Sequence, residues 1–338
     1  MRLIAILTTD GGLKIQSSTA NIKVTTGDLS AQKDVSVDAQ EAVTLNGDVT
    51  SDTADVVIGS AENKVAVTGN IQAAQDVMMD AQKGIEVKGE IHTTDNGDVR
   101  LDTAKGAVKI DGKVYTAGNG KGVEILSGGV DGGTSGIIIT GTVEADGFVR
   151  LYTKGKTDED RAGKYEDRNP SDYKHNGNGK KQLKLMRAML LGKAPLAELE
   201  EGIYVGGDII TDGDIDIATY GDDVTLRNLQ AGGMAAVGTH EGQITVGTMT
   251  GNSVTLYSES DAANITFGGI KVADKLILAG NDWNLDMSNV HFDSDGCELY
   301  IYGVGDQLQG NITLDFTGCK DIEQLHIRQL NIGRAVIK

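Results

Sequence analysis

The sequence has few of the residues that interrupt a regular β-structure. It contains only two prolines and two cysteines in 338 residues, and aromatic side chains make up 4% of it. A core with so few aromatics has to be built from Val, Ile, Leu and Ala, and β-branched side chains pack well in strands. Because proline cannot donate to a strand ladder, its scarcity favours a chain whose N–H groups are used in sheets.

Excess positive charge and long apolar runs are missing as well. The formal net charge is −18 at pH 7, which argues against a nucleic-acid partner because phosphates repel an acidic surface. No run of about 18 apolar residues is present, so no membrane span is expected. The apolar residues 1–7 lack a following cleavage pattern and are interpreted as a strand, so an exported protein would contain this chain as a fragment of something longer.

Short apolar segments recur along the chain at a nearly constant interval. The first set begins 21 or 22 residues apart at Leu13, Val35, Val56, Val77 and Val99. A second set keeps step with it, beginning at Ile22, Val43, Val65, Ile85 and Val108. A third element reads Gly, usually a polar residue, then an aliphatic one, as in Gly47-Asp48-Val49. The rhythm returns late in the chain from Ile215 onward.

Three apolar segments per repeat predict three short strands per coil. Apolar–polar–apolar alternation is the strand period, and it turns two side chains of each triplet inward. One such repeat cannot bury its apolar face alone, so successive repeats must stack. The sequence therefore predicts an all-β chain folded as a right-handed parallel β-helix with about 21 residues per coil.

Residues 152–201 interrupt this rhythm. They contain both prolines, and they have a charge balance of +2 against −20 for the rest of the chain. A short helix is predicted over 181–191, where it could lie on the rod and shield apolar strand surface. After this insertion, residues 202–211 repeat 84–93 at six of ten positions. We therefore divide the chain into a first β-helix part (1–151), the insertion (152–201), a second β-helix part (202–296) and terminal coils or a cap (297–338).

The insertion is also the candidate binding surface, because it departs most from the repeat. Its Tyr165, Arg168 and Tyr173 are of the residue types enriched at binding hot spots. This least acidic part of the rod could accept an anionic glycan, a host-cell surface protein or a neighbouring acidic rod. The alternative is a tolerated decoration that binds nothing.

The remaining candidate residues give weaker signals. No histidine has metal-ligand spacing with another His or Cys. A cluster of acidic residues could gather oxygen ligands for Ca²⁺, or it could consist of solvated turns. Its members are Asp208, Asp212, Asp214, Asp216, Asp222 and Asp223. No other cofactor is expected. Cys297 and Cys319 are 22 residues apart, one coil length, so they could stack within disulfide range or remain as two free thiols.

An enzyme is not expected. Sugar-cleaving β-helix enzymes use paired carboxylates, but their Asn-Thr-Asp and Arg-Ile-Lys motifs are absent, and few aromatics are available to stack on sugar rings. A polysaccharide-binding or polysaccharide-cleaving protein remains the alternative to a structural one.

Stretches such as Val43-Thr44-Leu45-Asn46-Gly47-Asp48-Val49 resemble the repeats of filamentous-haemagglutinin-like exoproteins of the two-partner secretion system. The resemblance covers roughly residues 10–150 and 203–290, and the amino-terminal secretion domain of that family is not recognisable. It implies a secreted or cell-surface filamentous adhesin that is exported through an outer-membrane transporter. On this reading, the chain is a non-catalytic stalk segment that mediates attachment to host or neighbouring cells.

Overall fold

The computed structural model describes residues 2–3, 7–24, 27–128, 136–154, 202–219, 223–239, 242–258, 265–280, 283–293, 296–302, 311–319, 325–330 and 334–338. In these ranges the protein is all-β, and its parallel strands stack as a β-solenoid of about 11 turns spaced roughly 22 residues apart. The predicted parallel β-helix is thereby confirmed. The predicted helix at 181–191 and the rest of the insertion from residue 155 to 201 lie outside the described residues.

The strands form three stacks, one for each segment of the repeat. Stack 1 contains β3 (Leu13–Ser17), β6 (Val35–Ala39), β9 (Val56–Ser60), β12 (Val77–Ala81), β15 (Val99–Thr103), β18 (Gly122–Gly128), β21 (Phe148–Lys154), β23 (Asp214–Thr219), β25 (Met234–Thr239), the last parts of β26 (Ile244–Ser258) and β27 (Ile265–Ala279), β30 (Cys297–Tyr302) and β32 (Leu325–Leu330).

Stacks 2 and 3 contain the shorter strands. Stack 2 contains β1 (Arg2–Leu3), β4 (Ile22–Val24), β7 (Val43–Leu45), β10 (Val65–Val67), β13 (Ile85–Val87), β16 (Val108–Ile110), β19 (Ile137–Ile139) and the first parts of β22 (Ile203–Thr211), β24 (Val224–Ala231), β26 and β27. Stack 3 contains β2 (Leu7–Thr9), β5 (Leu29–Ala31), β8 (Val49–Ser51), β11 (Ile71–Ala73), β14 (Ile91–Thr93), β17 (Val114–Tyr115), β20 (Val143–Ala145), β29 (Val290–Phe292) and the remaining parts of the long strands. A separate sheet near the carboxyl end joins β28 (Trp283–Asp286), β31 (Asn311–Asp315) and β33 (Arg334–Ile337).

Equivalent residues of successive coils lie directly above one another. Val77 pairs with Val56 on the preceding coil and with Val99 on the next. Along β12 the buried residues alternate with more exposed ones, so Val77 and Met79 point into the core. The predicted inward positions are confirmed, and the core is a continuous column of mostly Val, Ile and Leu side chains.

The Gly-polar-aliphatic element forms the corner between stacks 2 and 3. Asp48 Oδ1 accepts the backbone N–H of Asn70 on the next coil at 2.7 Å, while the N–H of Asp48 donates to Asp28 Oδ1 at 2.9 Å. A Cβ on Gly69 would lie 2.4 Å from the Gly47 carbonyl group. The glycine therefore permits close stacking, and the polar residue links each corner to the next coil.

The coil register resumes after residue 201. Ile203 pairs with Ile137, and Ile215 pairs with Val149, in the same stacks as their counterparts in the first part. Strand β21 is the stack 1 strand of one coil, and Gly202 directly precedes β22, which begins with the stack 2 strand of the same coil. Residues 155–201 therefore join two strands that other coils join with a short corner.

Stack 1 changes character in the second part of the chain. All six residues of β25 are buried, whereas in β12 only alternate residues are. Alternate residues of a strand point to opposite faces, so Ala236, Thr255 and Ile277 point away from the core, yet each is 0% exposed.

Candidate functional site

One outward column of stack 1 changes its side-chain chemistry from coil to coil. In register from coil to coil it contains Val57, Met78, Arg100, Glu124, Arg150 and Asp216, then Ala236, Thr255 and Ile277. Between Val57 and Ile277 the column is first apolar, then alternates in charge, and finally is uncharged and fully buried. Polar residues extend it at both ends, with Lys14 and Ser36 before Val57 and with Tyr300 and Arg328 after Ile277. Its exposure falls along the rod, from 54% for the Arg100 side chain to 5% for that of Arg150.

A groove of about 360 Å³ opens on the exposed part of this face. Val57, Met78 and Leu126 supply apolar lining, and Asp80, Asp102, Glu124 and Arg100 supply charge. Three carboxylates against one guanidinium leave the groove acidic. Such a site suits a ligand that presents cationic groups beside apolar ones.

The charged residues are held by specific contacts. Arg150 Nη1 lies 3.6 Å from Glu124 Oε1, and its guanidinium stands 4.3 Å from the centre of the Phe148 ring. Arg100 Nη2 donates to Asp98 Oδ2 at 3.1 Å. Burying a charge without a partner costs free energy. These contacts therefore explain how the face can contain two arginines although its exposure to solvent falls along the rod.

A second outward column, on stack 3, brings together an amide and two rings. His92 and Tyr115 stack with their ring centroids 4.6 Å apart and their planes 9° from parallel. Gln72 Oε1 lies 3.0 Å from His92 Nε2. Burial lowers the pKa of His92, although the charge of Glu90 acts in the opposite direction. Sequence reasoning missed this group, which the coil register alone could have revealed, since Gln72 pairs with His92 and His92 with Tyr115.

Three of the six acidic residues proposed for Ca²⁺ bind neighbouring coils. Asp214 Oδ1 accepts the N–H of Met234 at 2.7 Å, and Asp223 Oδ1 accepts that of Gln243 at 2.8 Å. Asp208 Oδ1 accepts from the Asn228 side chain at 2.8 Å. In the described ranges no three His, Cys, Asp or Glu residues form a group that could hold a metal ion.

The predicted binding residues Tyr165, Arg168 and Tyr173 lie outside the described residues, so their role stays a prediction. The cysteines are described, and both are free thiols. Cys297 is buried and pairs in register with Leu325, so the next coil brings a residue 28 positions later above it rather than Cys319. Half-buried Cys319 instead donates from Sγ to the Val290 carbonyl at 3.6 Å.

Comparisons with known proteins do not identify the chain. No protein-family description, no curated protein and no solved structure matches it. Within the described part of the chain, no helix has the length and apolarity needed to cross a bilayer. The coil register therefore establishes the parallel β-solenoid, and no match supports the likeness to two-partner exoproteins.

Proposed function

We propose that the chain is a non-catalytic stalk segment of a filamentous adhesin, secreted or displayed on a bacterial cell surface. The observation that supports this function is the in-register stacking of parallel coils around one apolar core. A rod of this kind holds whatever it carries at a fixed distance from its point of attachment.

The stacking suits a load-bearing role. Strands in neighbouring coils are joined by backbone hydrogen bonds that run along the rod, so a pull along the axis is shared by all three stacks. At about 4.8 Å per coil, about 11 turns span roughly 50 Å. Side-chain ladders such as Asp28–Asp48–Asn70–Glu90 add further links between coils.

The proposed partners follow from the family likeness and from charge. An outer-membrane transporter would export the chain, and a host-cell glycan or surface protein would be the ligand. The whole chain carries a net charge of −18, so attachment would depend on localised surfaces that differ from the average face.

Surface location can be tested with antibodies against the purified chain. We expect labelling of intact source cells, and we expect beads coated with the chain to attach to host cells more than beads coated with an unrelated acidic protein. Labelling that appears only after cells are permeabilised would contradict the proposal. Release of reducing ends from polysaccharides by the purified chain would favour the polysaccharide-cleaving alternative instead.

A further inference from the structure

We propose that copies of this chain associate side by side through two unlike faces of the same coils. The acidic groove on stack 1 of one copy binds a lysine-rich face on stack 2 of its neighbour. Such a contact joins rod to rod, whereas the function proposed above concerns the contact between the rod and a host cell.

The groove combines apolar and acidic surface. Its outward residues lie in register on four successive strands of stack 1 and form two columns, one of Val57, Met78, Arg100 and Glu124 and one of Gly59, Asp80, Asp102 and Leu126. Gly59 has no side chain, so the groove is open next to Asp80. A lysine side chain has an apolar stem and a cationic head. Its stem can therefore lie along Val57 and Met78 while its ammonium group reaches Asp80.

A lysine-rich face lies on stack 2 of three of the same coils. This lysine face contains Lys64, Lys83, Lys88 and Lys109 together with the carboxylates of Glu86 and Asp111. Four lysines against two carboxylates give a net charge of +2, whereas three carboxylates against one guanidinium in the described groove lining give −2. The two faces are therefore equal and opposite in charge, although the chain as a whole carries −18.

Both faces are accessible to a second copy. On the groove, Val57 is 37% exposed and the Arg100 side chain is 54% exposed. On the lysine face, the side chain of Lys88 is 61% exposed, although its Nζ lies 3.5 Å from Glu86 Oε1. The other exposed lysines of this face are Lys64, Lys83 and Lys109. A neighbouring copy can thus reach charged groups of both faces without any change in the fold.

The two faces also share the same spacing. Coils rise by about 4.8 Å on every face of the solenoid, so carboxylates and lysines of neighbouring rods can meet coil by coil. The groove spans four strands, three of them of five residues, which gives roughly 300 Å² per partner against about 800 Å² in a stable complex. A single contact is therefore weak, with a dissociation constant on the order of 0.1–1 mM. Because it joins unlike faces, the association can continue from rod to rod.

Charge reversal separates this contact from general repulsion between acidic chains. In Asp80→Lys/Asp102→Lys each reversal adds two positive units, so the net charge changes from −18 to −14. General repulsion would then decrease and favour association. We expect the opposite, a dissociation constant higher by about tenfold or more in sedimentation experiments, because the groove then repels the lysine face. The matched control is Asp10→Lys/Asp52→Lys, in exposed turns after β2 and β8, which should not weaken association.

A mixture of two reversed variants provides the second part of the test. Lys88→Glu/Lys109→Glu reverses the lysine face and should also weaken self-association. Each variant keeps one native face, so an equal mixture restores the contact between the native groove of one and the native lysine face of the other. We expect the mixture to associate at least as tightly as the wild-type chain. A mixture that does not associate would overturn the proposal, as would a wild-type chain that stays monomeric up to about 1 mM.

Circular dichroism and cooperative thermal unfolding show whether each variant is folded. If the reversed groove does not fold, Asp80→Asn/Asp102→Asn is compared with Asp10→Asn/Asp52→Asn, since both pairs remove the same charge. Several-fold weaker self-association of the first pair only supports the proposal, and equal dissociation constants for the two pairs contradict it.

Discussion

Inward and outward residues of one short strand have opposite roles. In β13 the side chain of Val87 is 0% exposed, whereas that of its neighbour Glu86 is 49% exposed and lies 3.5 Å from Lys88 Nζ. The strand has only three residues, so this alternation depends on the coils above and below it. Substitutions at adjacent positions should therefore differ greatly in their effect on the free energy of unfolding.

Val87→Asp should destabilise the protein by several kcal/mol, because it buries an unpaired carboxylate between stacked coils. Glu86→Val is the matched control and should change stability by less than about 0.5 kcal/mol, as surface substitutions usually do. Chemical denaturation measures both. Equal stability of the two variants would show that the inward assignment is wrong.

The corner aspartates hold successive coils together through their side chains. Asp76 Oδ1 accepts the N–H of Asp98 at 2.8 Å, and its own N–H donates to Asp55 Oδ1 at 2.9 Å. Asp76→Ala should cost about 1–2 kcal/mol by leaving the Asp98 N–H without its acceptor. Asp76→Asn should restore most of that stability, because Asn70 performs the same role in the other ladder. Denaturation midpoints that do not separate the two variants would contradict this role.

The two cysteines should differ in reactivity. Burial, with a smaller contribution from the charge of Asp274, raises the pKa of Cys297 to about 11. Alkylation requires the thiolate, so Cys297 should stay unmodified at neutral pH while half-buried Cys319 reacts. Mass spectrometry after iodoacetamide treatment, with and without denaturant, distinguishes the sites. Removal of the native-state product by Cys319→Ser is the control, and rapid labelling of Cys297 in the native protein would contradict the prediction.

At the scale of elements, the short strands could be predicted from the sequence and the long ones could not. The triplets at Val35, Val56 and Val77 begin strands, as their alternation indicated. In contrast, β26 runs from Ile244 to Ser258 through parts of all three stacks, with an irregularity between Gly251 and Ser253. Alternation over three residues gives no information on whether the chain stays extended through a corner.

The charged column of stack 1 was beyond sequence reasoning for a different reason. Arg150 and Asp216 are register partners, but 66 positions separate them because residues 155–201 lie between. Only the resumed register places one above the other. The buried outward positions of stack 1 are nevertheless visible in the sequence. Ala236 and Ile277 are apolar at outward positions, where a solvent-exposed strand would have polar residues.

The separate carboxyl-terminal sheet should be sensitive to acid. The N–H and hydroxyl of Ser288 lower the pKa of Asp286, and the hydroxyl and N–H of Thr317 lower the pKa of Asp315. A carboxyl group whose native pKa is below its unfolded pKa stabilises the fold above the unfolded pKa. That contribution is lost as pH falls through the native pKa.

Trp283 is the only tryptophan in the sequence, it begins β28, the strand that ends at Asp286, and it is buried. We expect its fluorescence to shift to the red as acid removes these turns. In the double variant Asp286→Asn/Asp315→Asn, whose amides accept the same N–H groups without titrating, that pH dependence should be weaker. An unchanged acid transition in the double variant would exclude the two turns as its cause.

At the scale of the whole molecule, the coils are nearly interchangeable units. Each contacts mainly its neighbours, so stability is approximately a sum over coils and their interfaces. Coils can therefore be added or removed without a change in the cross-section of the solenoid. It also means that an error in register cannot be absorbed locally, because every later strand would then occupy the wrong stack.

Removal of one complete coil tests this account most directly. Val77 and Val99 are register partners, so deleting residues 77–98 joins Asp76 to Val99 with every later strand still in its stack. We expect a folded, β-rich protein that unfolds cooperatively and is shorter by about 4.8 Å in small-angle scattering. Deleting only residues 77–87 should prevent folding, because it brings a stack 3 strand into stack 1. If the two deletions were equally stable, or if the in-register deletion did not fold, the stacked-coil account would be contradicted.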